Sequence, residues 1–309
     1  MNADKKPEKF LLKLPLVLIL AVSAATAGIV PDVRAAIARD DFARAEQEVA
    51  AYRKQNGVTS EMLEAMSWLA RGALAQRRFD DARQYAAETR KLAAGVNGDR
   101  HLSLAIGAAI EVEAGALAGG GQRTEAVAFL KRELKTHWDT PLRTRIQKNL
   151  NLLTLEGKAA PALEVSHWLG PKPLSLAALR GKPVLLFFWA HWCGDCKAQL
   201  PALAEVERKF APRGLVLLGP TQTYGYVARG EEAAPAQETP YIDKVRRELY
   251  RPLGAMPVPL SEENFKVYGA STVPTLVLID RQGIVRLYHP DVMTYEELAA
   301  AIEKVLANG

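Results

Sequence analysis

Apolar positions along the chain fall into three regimes. Residues 14–30 form one uncharged run. From residue 33 to about residue 155, apolar side chains recur at spacings of three and four, as at Leu63, Met66, Leu69 and Ala70. That is the period of one helical face, and the stretch is rich in the helix formers Ala, Leu, Glu, Arg and Gln. No strand-like alternation interrupts it. The pattern predicts an all-α segment over 33–155, broken at Asn56-Gly57, Asn97-Gly98, Gly119-Gly120-Gly121 and Pro141. From residue 159 the pattern changes to short apolar runs separated by helical periods.

Within this last regime, Leu163-Glu164-Val165 and Leu174-Ser175-Leu176 suggest an opening hairpin around Gly170. Val184 to Trp189 is apolar throughout, as in a strand covered on both faces. Lys197 to Phe210 reads as a helix, Gly214 to Gly219 as a second buried strand, and Tyr241 to Tyr250 as a helix. Thr275–Ile279 and Ile284–Tyr288 read as strands around the turn Asp280-Arg281-Gln282-Gly283, and Tyr295–Leu306 as a closing amphipathic helix. The order β-α-β-α-β-β-α implies a mixed sheet flanked by helices, an α/β domain over 159–309. Residues 220–256 read as an insertion, in which Gly225 to Pro240, rich in Gly, Ala, Glu and Pro, is a loop near the active-site edge that either helps select substrate or is only a longer crossover. Its Tyr224 and Tyr226 are the side chains best suited to meet a partner.

The helical segment carries a repeated phrase. Asp41-Phe42-Ala43-Arg44-Ala45 opens one helix and Arg78-Phe79-Asp80-Asp81-Ala82 another; Gln122-Arg123-Thr124-Glu125-Ala126 is a degenerate third copy. An aromatic residue three before a small one lets paired helices pack closely. This resembles the turn region of tetratricopeptide-like (TPR) repeats, without their full signature. Such hairpins present a protein-binding surface or serve as a spacer. Arg143, Arg145 and Lys148 read as a solvated helix face.

The N-terminal 27 residues carry lysines at 5, 6, 9 and 13 ahead of the apolar run, with the small residues Ala25-Thr26-Ala27 at its end. This is the layout of a secretory signal peptide, or of a retained N-terminal membrane anchor. The run is short for a spanning helix, which needs about 20 residues. No Cys follows it, so a lipoprotein anchor is not expected. Either reading places the rest of the chain outside the cytoplasm, which in a Gram-negative cell is the periplasm.

Composition adds less than charge placement. A chain of 309 residues, 49% hydrophobic and 24% charged, is ordinary for a globular protein of two domains. The net charge of +5 invites a nucleic-acid reading. But residues 1–27 carry +2 of it, residues 28–155 carry 19 basic against 16 acidic side chains, and residues 156–309 carry 17 of each. No basic stripe of the kind that phosphate binding needs is present in the sequence, so no nucleic-acid partner is expected.

The chemistry lies in the only two cysteines, Cys193 and Cys196. Zinc would need further ligands, and the five histidines are scattered, so no metal is expected. A purely structural disulfide over so short a loop would constrain the unfolded chain little. Cys-x-x-Cys between a strand and a helix reads instead as a redox-active dithiol, needing no cofactor beyond its own disulfide. Unpaired N–H groups and the dipole at the helix start would favour a Cys193 thiolate. That thiolate attacks a substrate disulfide and Cys196 resolves the mixed disulfide.

The segment Phe188-Trp189-Ala190-His191-Trp192-Cys193-Gly194-Asp195-Cys196-Lys197 closely resembles the active-site segment of the thioredoxin-like superfamily. Pro201 matches the helix-kinking proline of thioredoxins, and Val273-Pro274-Thr275 the loop whose cis proline faces the disulfide. Leu176-Ala177-Ala178-Leu179-Arg180-Gly181-Lys182-Pro183-Val184 is similar to the extracytoplasmic TlpA/ResA-like branch. The resemblance spans about residues 159–309. It implies that Pro274 is cis, that Val273 presents its backbone to an extended substrate, and that Trp192 borders the substrate site.

Three departures stand out. Phe187 occupies the position of the buried thioredoxin Asp, Gln199 that of the ResA-like Glu, and Asp195 that of the usual Pro. Asp195 is either an acid–base group for Cys196 or a solvated side chain. His191 either stabilises the thiolate as an imidazolium or is an exposed loop residue. Trp189 is a packing residue.

The resemblance implies an extracytoplasmic thiol–disulfide oxidoreductase that reduces protein disulfides and draws electrons from a membrane protein. A peroxiredoxin-like thiol peroxidase is the second reading. It wants Pro-x-x-x-Thr-x-x-Cys, where this chain has Leu186 and Ala190. A scaffold acting through its helical repeats, with an accessory redox domain, is the third.

Overall fold

The computed structural model describes residues 28–307; the predicted signal or anchor at 1–27 lies outside them. Seven helices come first: α1 (Ile29–Ile37), α2 (Phe42–Asn56), α3 (Ser60–Ala75), α4 (Phe79–Ala93), α5 (Arg100–Gly119), α6 (Arg123–Thr136) and α7 (Arg143–Thr154). The N-terminal half is therefore all-helical. Its first helix starts inside the apolar run, where Ile29 is buried. Asp41, Thr59 and Asp99 cap α2, α3 and α5 by accepting from Arg44, Met62 and Leu102 backbone N–H groups at 3.0, 3.2 and 2.9 Å.

The repeated phrase starts the second helix of each hairpin, α2, α4 and α6. Its small residue, Ala45, Ala82 or Ala126, is fully buried each time. Its aromatic residue packs on a glycine of a neighbouring hairpin. A Cβ at Gly72 would lie 3.1 Å from the Phe42 ring, and one at Gly119 2.6 Å from the Phe79 ring. The 20-residue α5 is long and apolar enough to cross a membrane, but 56% of its apolar window is buried within the protein, where it packs on α3, α4 and α6.

The C-terminal half comprises β1 (Trp168–Leu169), β2 (Val184–Phe188), α8 (Gly194–Ala198), α9 (Leu200–Phe210), β3 (Val216–Leu218), α10 (Pro235–Leu249), β4 (Val258–Pro259), α11 (Glu262–Tyr268), β5 (Thr275–Ile279), β6 (Val285–Pro290) and α12 (Tyr295–Ala307). The main sheet has the order β3-β2-β5-β6, with β2 parallel to β3 and antiparallel to β5. Its uniform apolar runs follow from cover on both faces. Leu185 and Phe187 join one core with Leu203, Phe210, Ile242 and Ile302. Val184, Leu186 and Phe188 join the other with Leu163, Leu179, Phe265 and Tyr268. This mixed sheet with helices on both sides is the expected thioredoxin-like α/β arrangement.

Several expectations need correction. The opening hairpin does not form: Leu163, Leu176 and Leu179 pack onto the sheet from irregular backbone, and the early strand is Trp168–Leu169, paired with β4. Alternation over three residues is too short to specify a pairing. The loop at 225–240 is shorter than expected, because α10 starts at Pro235 with Gln237 accepting from the Ala234 N–H. Neither β4 nor α11 was visible in the periodicity. The helix expected over 197–210 is broken at Gln199, since Pro201 has no N–H for the carbonyl of Lys197.

The basic residues of α7 are not a solvated face. Arg143 pairs with Glu263 at 2.8 Å, and Arg145 and Lys148 pair with Glu111 at 2.9 and 3.5 Å. Burial pushes the Glu111 carboxyl up, but Lys148, Arg145 and Arg71 outweigh it and hold it below its usual value. Helix α7 also contacts the second half. Asn151 donates to the Val267 carbonyl, and the chain then runs directly alongside β6, with Gly157 N–H to Val285 O at 2.8 Å.

Candidate active site

Strand β2 ends at Phe188, and its exit carries Trp189 to Cys193 to the start of α8. Trp189 is fully buried; its ring lies 4.6 Å from that of Tyr250, and its Nε1 donates to the Gly219 carbonyl at 2.9 Å. This fixes the strand exit and confirms Trp189 as a packing residue. Thr221 donates to the Trp189 carbonyl at 2.8 Å and closes the same corner.

Cys193 and Cys196 are joined as a disulfide, with Cα atoms 5.3 Å apart. Cys193 is the N-cap of α8, and its Sγ accepts from the Cys196 N–H at 2.9 Å. A backbone donor aimed at this sulfur stabilises negative charge there when the disulfide opens. Cys196 is fully buried and Cys193 nearly so. The opposite wall is the Val273–Pro274 peptide, which is cis, with the Val273 carbonyl 3.4 Å from Cys193 Sγ. Trp192 is 46% exposed beside the disulfide. The fold thus brings Trp192, Cys193, Cys196, Val273 and Pro274 together from β2, α8 and the loop before β5.

Asp195 lies on the exposed side of α8, away from the buried Cys196. Gln199 is buried and fully engaged: its Nε2 donates to the Met293 carbonyl at 2.9 Å and its Oε1 accepts from the Met293 N–H at 2.7 Å. At the position of the ResA-like Glu this chain therefore holds a clamp on the loop before α12.

His191 is not an exposed loop residue. It is buried, and its Nε2 lies 3.1 Å from Glu238 Oε1. Burial holds its pKa below the usual 6.5 despite the opposing pull of Glu238, which favours the neutral ring over the imidazolium. The rings of Tyr224, Tyr226 and Tyr241 meet it edge-on at 5.8, 5.4 and 5.3 Å.

Sequence reasoning missed Glu238. It sits in the first turns of α10, is fully buried, and accepts from the backbone N–H groups of Tyr224 and Gly225 at 2.6 and 2.8 Å. Its one signal was a carboxylate inside an otherwise weakly patterned segment. Among the described residues, no three of His, Cys, Asp or Glu gather as a metal-ligand set.

Residues 157–288 match the AhpC/TSA family. No curated protein matches significantly. Solved structures with likeness include a putative thiol:disulfide interchange protein DsbE from Chlorobium tepidum, 24% identical, covering 49% of this chain and 97% of its own, with TM-score 0.39. A thiol-disulfide isomerase from Corynebacterium glutamicum is 19% identical, with 49% and 97% covered and TM-score 0.41. An exposed lipoprotein thioredoxin from Streptococcus pneumoniae is 25% identical, with 48% and 100% covered and TM-score 0.36. The C-terminal half of this chain has a thioredoxin-like fold.

Proposed function

We propose that this thioredoxin-like protein is an extracytoplasmic thiol–disulfide oxidoreductase of the TlpA/ResA-like kind that reduces disulfides in other proteins. The observation that carries the reading is the Cys193–Cys196 pair, capped by its own helix start and faced by the Val273 carbonyl. In the reduced dithiol the Cys193 thiolate attacks a substrate disulfide. A Cys193–substrate S–S bond forms, the substrate S–S bond breaks, and the leaving thiolate takes a proton. Cys196, deprotonated, then attacks Cys193 Sγ and releases the second substrate thiolate, which is protonated in turn. The substrate gains two electrons and two protons, and the chain returns to its disulfide. A membrane-bound thiol donor outside the cytoplasm resets it. The lysine-rich, apolar N-terminus supports that location.

Val273 offers backbone hydrogen bonding to an extended substrate, and Trp192 offers an apolar rim. The helical half presents its hairpins as a TPR-like surface for a protein partner. His191 is engaged with Glu238 and Asp195 is exposed, so neither is placed as a base for Cys196. Ala190 stands where a peroxidase wants a Thr hydroxyl and Leu186 where it wants a Pro, which weighs against a peroxidase.

The test is trapping. Cys196→Ser is expected to retain disulfide-linked proteins on Cys193, and Cys193→Ser to abolish insulin reduction. Insulin reduction undiminished in Cys193→Ser would end the reading. A reduction potential near thioredoxin's ~−270 mV fits a reductase, and one near ~−120 mV would mark an oxidant instead.

A further inference from the structure

Resting on the disulfide-reductase reading, we infer that Glu238 is a positioning residue: it fixes the inserted turn Tyr224–Gly225 so that Tyr224 and Trp192 form an aromatic rim selecting polypeptide disulfides flanked by apolar side chains. The buried carboxylate is fully occupied. One oxygen takes the Tyr224 N–H and faces His191 Nε2, while the other takes the Gly225 N–H. Both flanks of the reactive site are thereby tied to one group, because His191 stands two residues before Cys193 and Tyr224 heads the insertion.

The turn needs this anchor. Gly225 has φ of +83°, and the insertion beyond it is tied mainly to itself, by the Tyr226–Glu232 bridge and by Ala233 N–H to the Gly225 carbonyl at 2.9 Å. Tyr226 and Tyr241 pack against the His191 ring and shield the pair from water. With the turn fixed, the Tyr224 ring meets Trp192 edge-on at 5.4 Å. Trp192, 46% exposed, then stands as a braced apolar face beside Cys193. A braced aromatic gives contact area at little entropic cost. The Trp192 and Tyr224 rings are apolar, so they favour a hydrophobic or aromatic residue next to the substrate cysteine. A small disulfide that reaches only the sulfur makes no use of it.

The experiment compares insulin with hydroxyethyl disulfide as substrates of the full chain. Glu238→Gln keeps the volume but replaces one acceptor by a donor facing an N–H group. It is expected to raise the KM for insulin about tenfold with kcat retained, leaving the kinetics with hydroxyethyl disulfide unchanged. Amide exchange at Tyr224 and Gly225 should speed up in parallel. Equal losses on both substrates, or an unchanged KM for insulin, would overturn the inference. Should Glu238→Gln fail to fold, Tyr226→Leu, which loosens the same anchor, is expected to raise the insulin KM about threefold with the same selectivity, and an unselective effect overturns the inference. A wild type that reduces neither substrate overturns the redox reading and this inference with it. An active wild type with unselective variants overturns the inference alone.

Discussion

At the residue scale, the reactive pair and its support differ in how far they show in the sequence. Cys193 and Cys196 are recognisable from their spacing, and Trp192 and Pro274 from the resemblance of their segments to the thioredoxin-like superfamily. The pairing of His191 with Glu238 is not, because the two are 47 residues apart and only packing makes them partners. Their burial has a consequence for pH. The His191 pKa is lowered by burial below 6.5, so the unfolded chain takes up a proton at a higher pH than the folded one. The stability this represents is complete above 6.5 and is lost as pH falls through the folded pKa. Melting temperature should therefore drop as pH falls from 6.5 towards the folded pKa. His191→Gln should flatten that part of the curve, and an unchanged slope would show that another group dominates it.

At the element scale, periodicity located every long helix and the four strands of the main sheet, since each presents a continuous apolar face to a core. It failed where an element is short. Strands β1 and β4 are two residues each, and α11 is seven, too few to display a period. It also misplaced the start of α10, where Pro235 reads as loop punctuation but serves as the first residue of a helix. The repeated Phe-x-x-Ala phrase was legible because its packing is local. Ala82 is fully buried between helices. Ala82→Leu should cost about 1–3 kcal/mol of stability in denaturant unfolding. The insulin-reducing activity of the folded fraction should survive. A neutral result would show that the hairpins pack less tightly than their geometry indicates.

At the scale of the whole molecule, the two halves meet at α7. Gly269, at φ +63°, brings its backbone so close to α7 that an added Cβ would lie 2.3 Å from Lys148 N. Tyr288 Oη donates to the carbonyls of Tyr268 and Gly269 beside this contact. Four residues further on, Val273 faces Cys193. The helical half thus supports the segment leading into the substrate loop. Gly269→Ala combines a left-handed backbone with a backbone clash, and is expected to destabilise the protein by more than about 2 kcal/mol. Circular-dichroism melting checks this. Wild-type stability would mean that the two halves part readily.

The sequence by itself determined the all-α and α/β halves and the adjacent Cys-x-x-Cys pair, because each rests on short-range pattern or spacing, and its resemblance to the thioredoxin-like superfamily pointed to the fold of the second half. The tertiary structure alone decided what surrounds that pair. Gln199 became a clamp on Met293, the basic residues of α7 became ion pairs, and Glu238 became the anchor of the inserted turn. A buried polar group must find a partner or bear the cost of desolvation, and that partner is chosen by the fold, from residues the sequence keeps far apart.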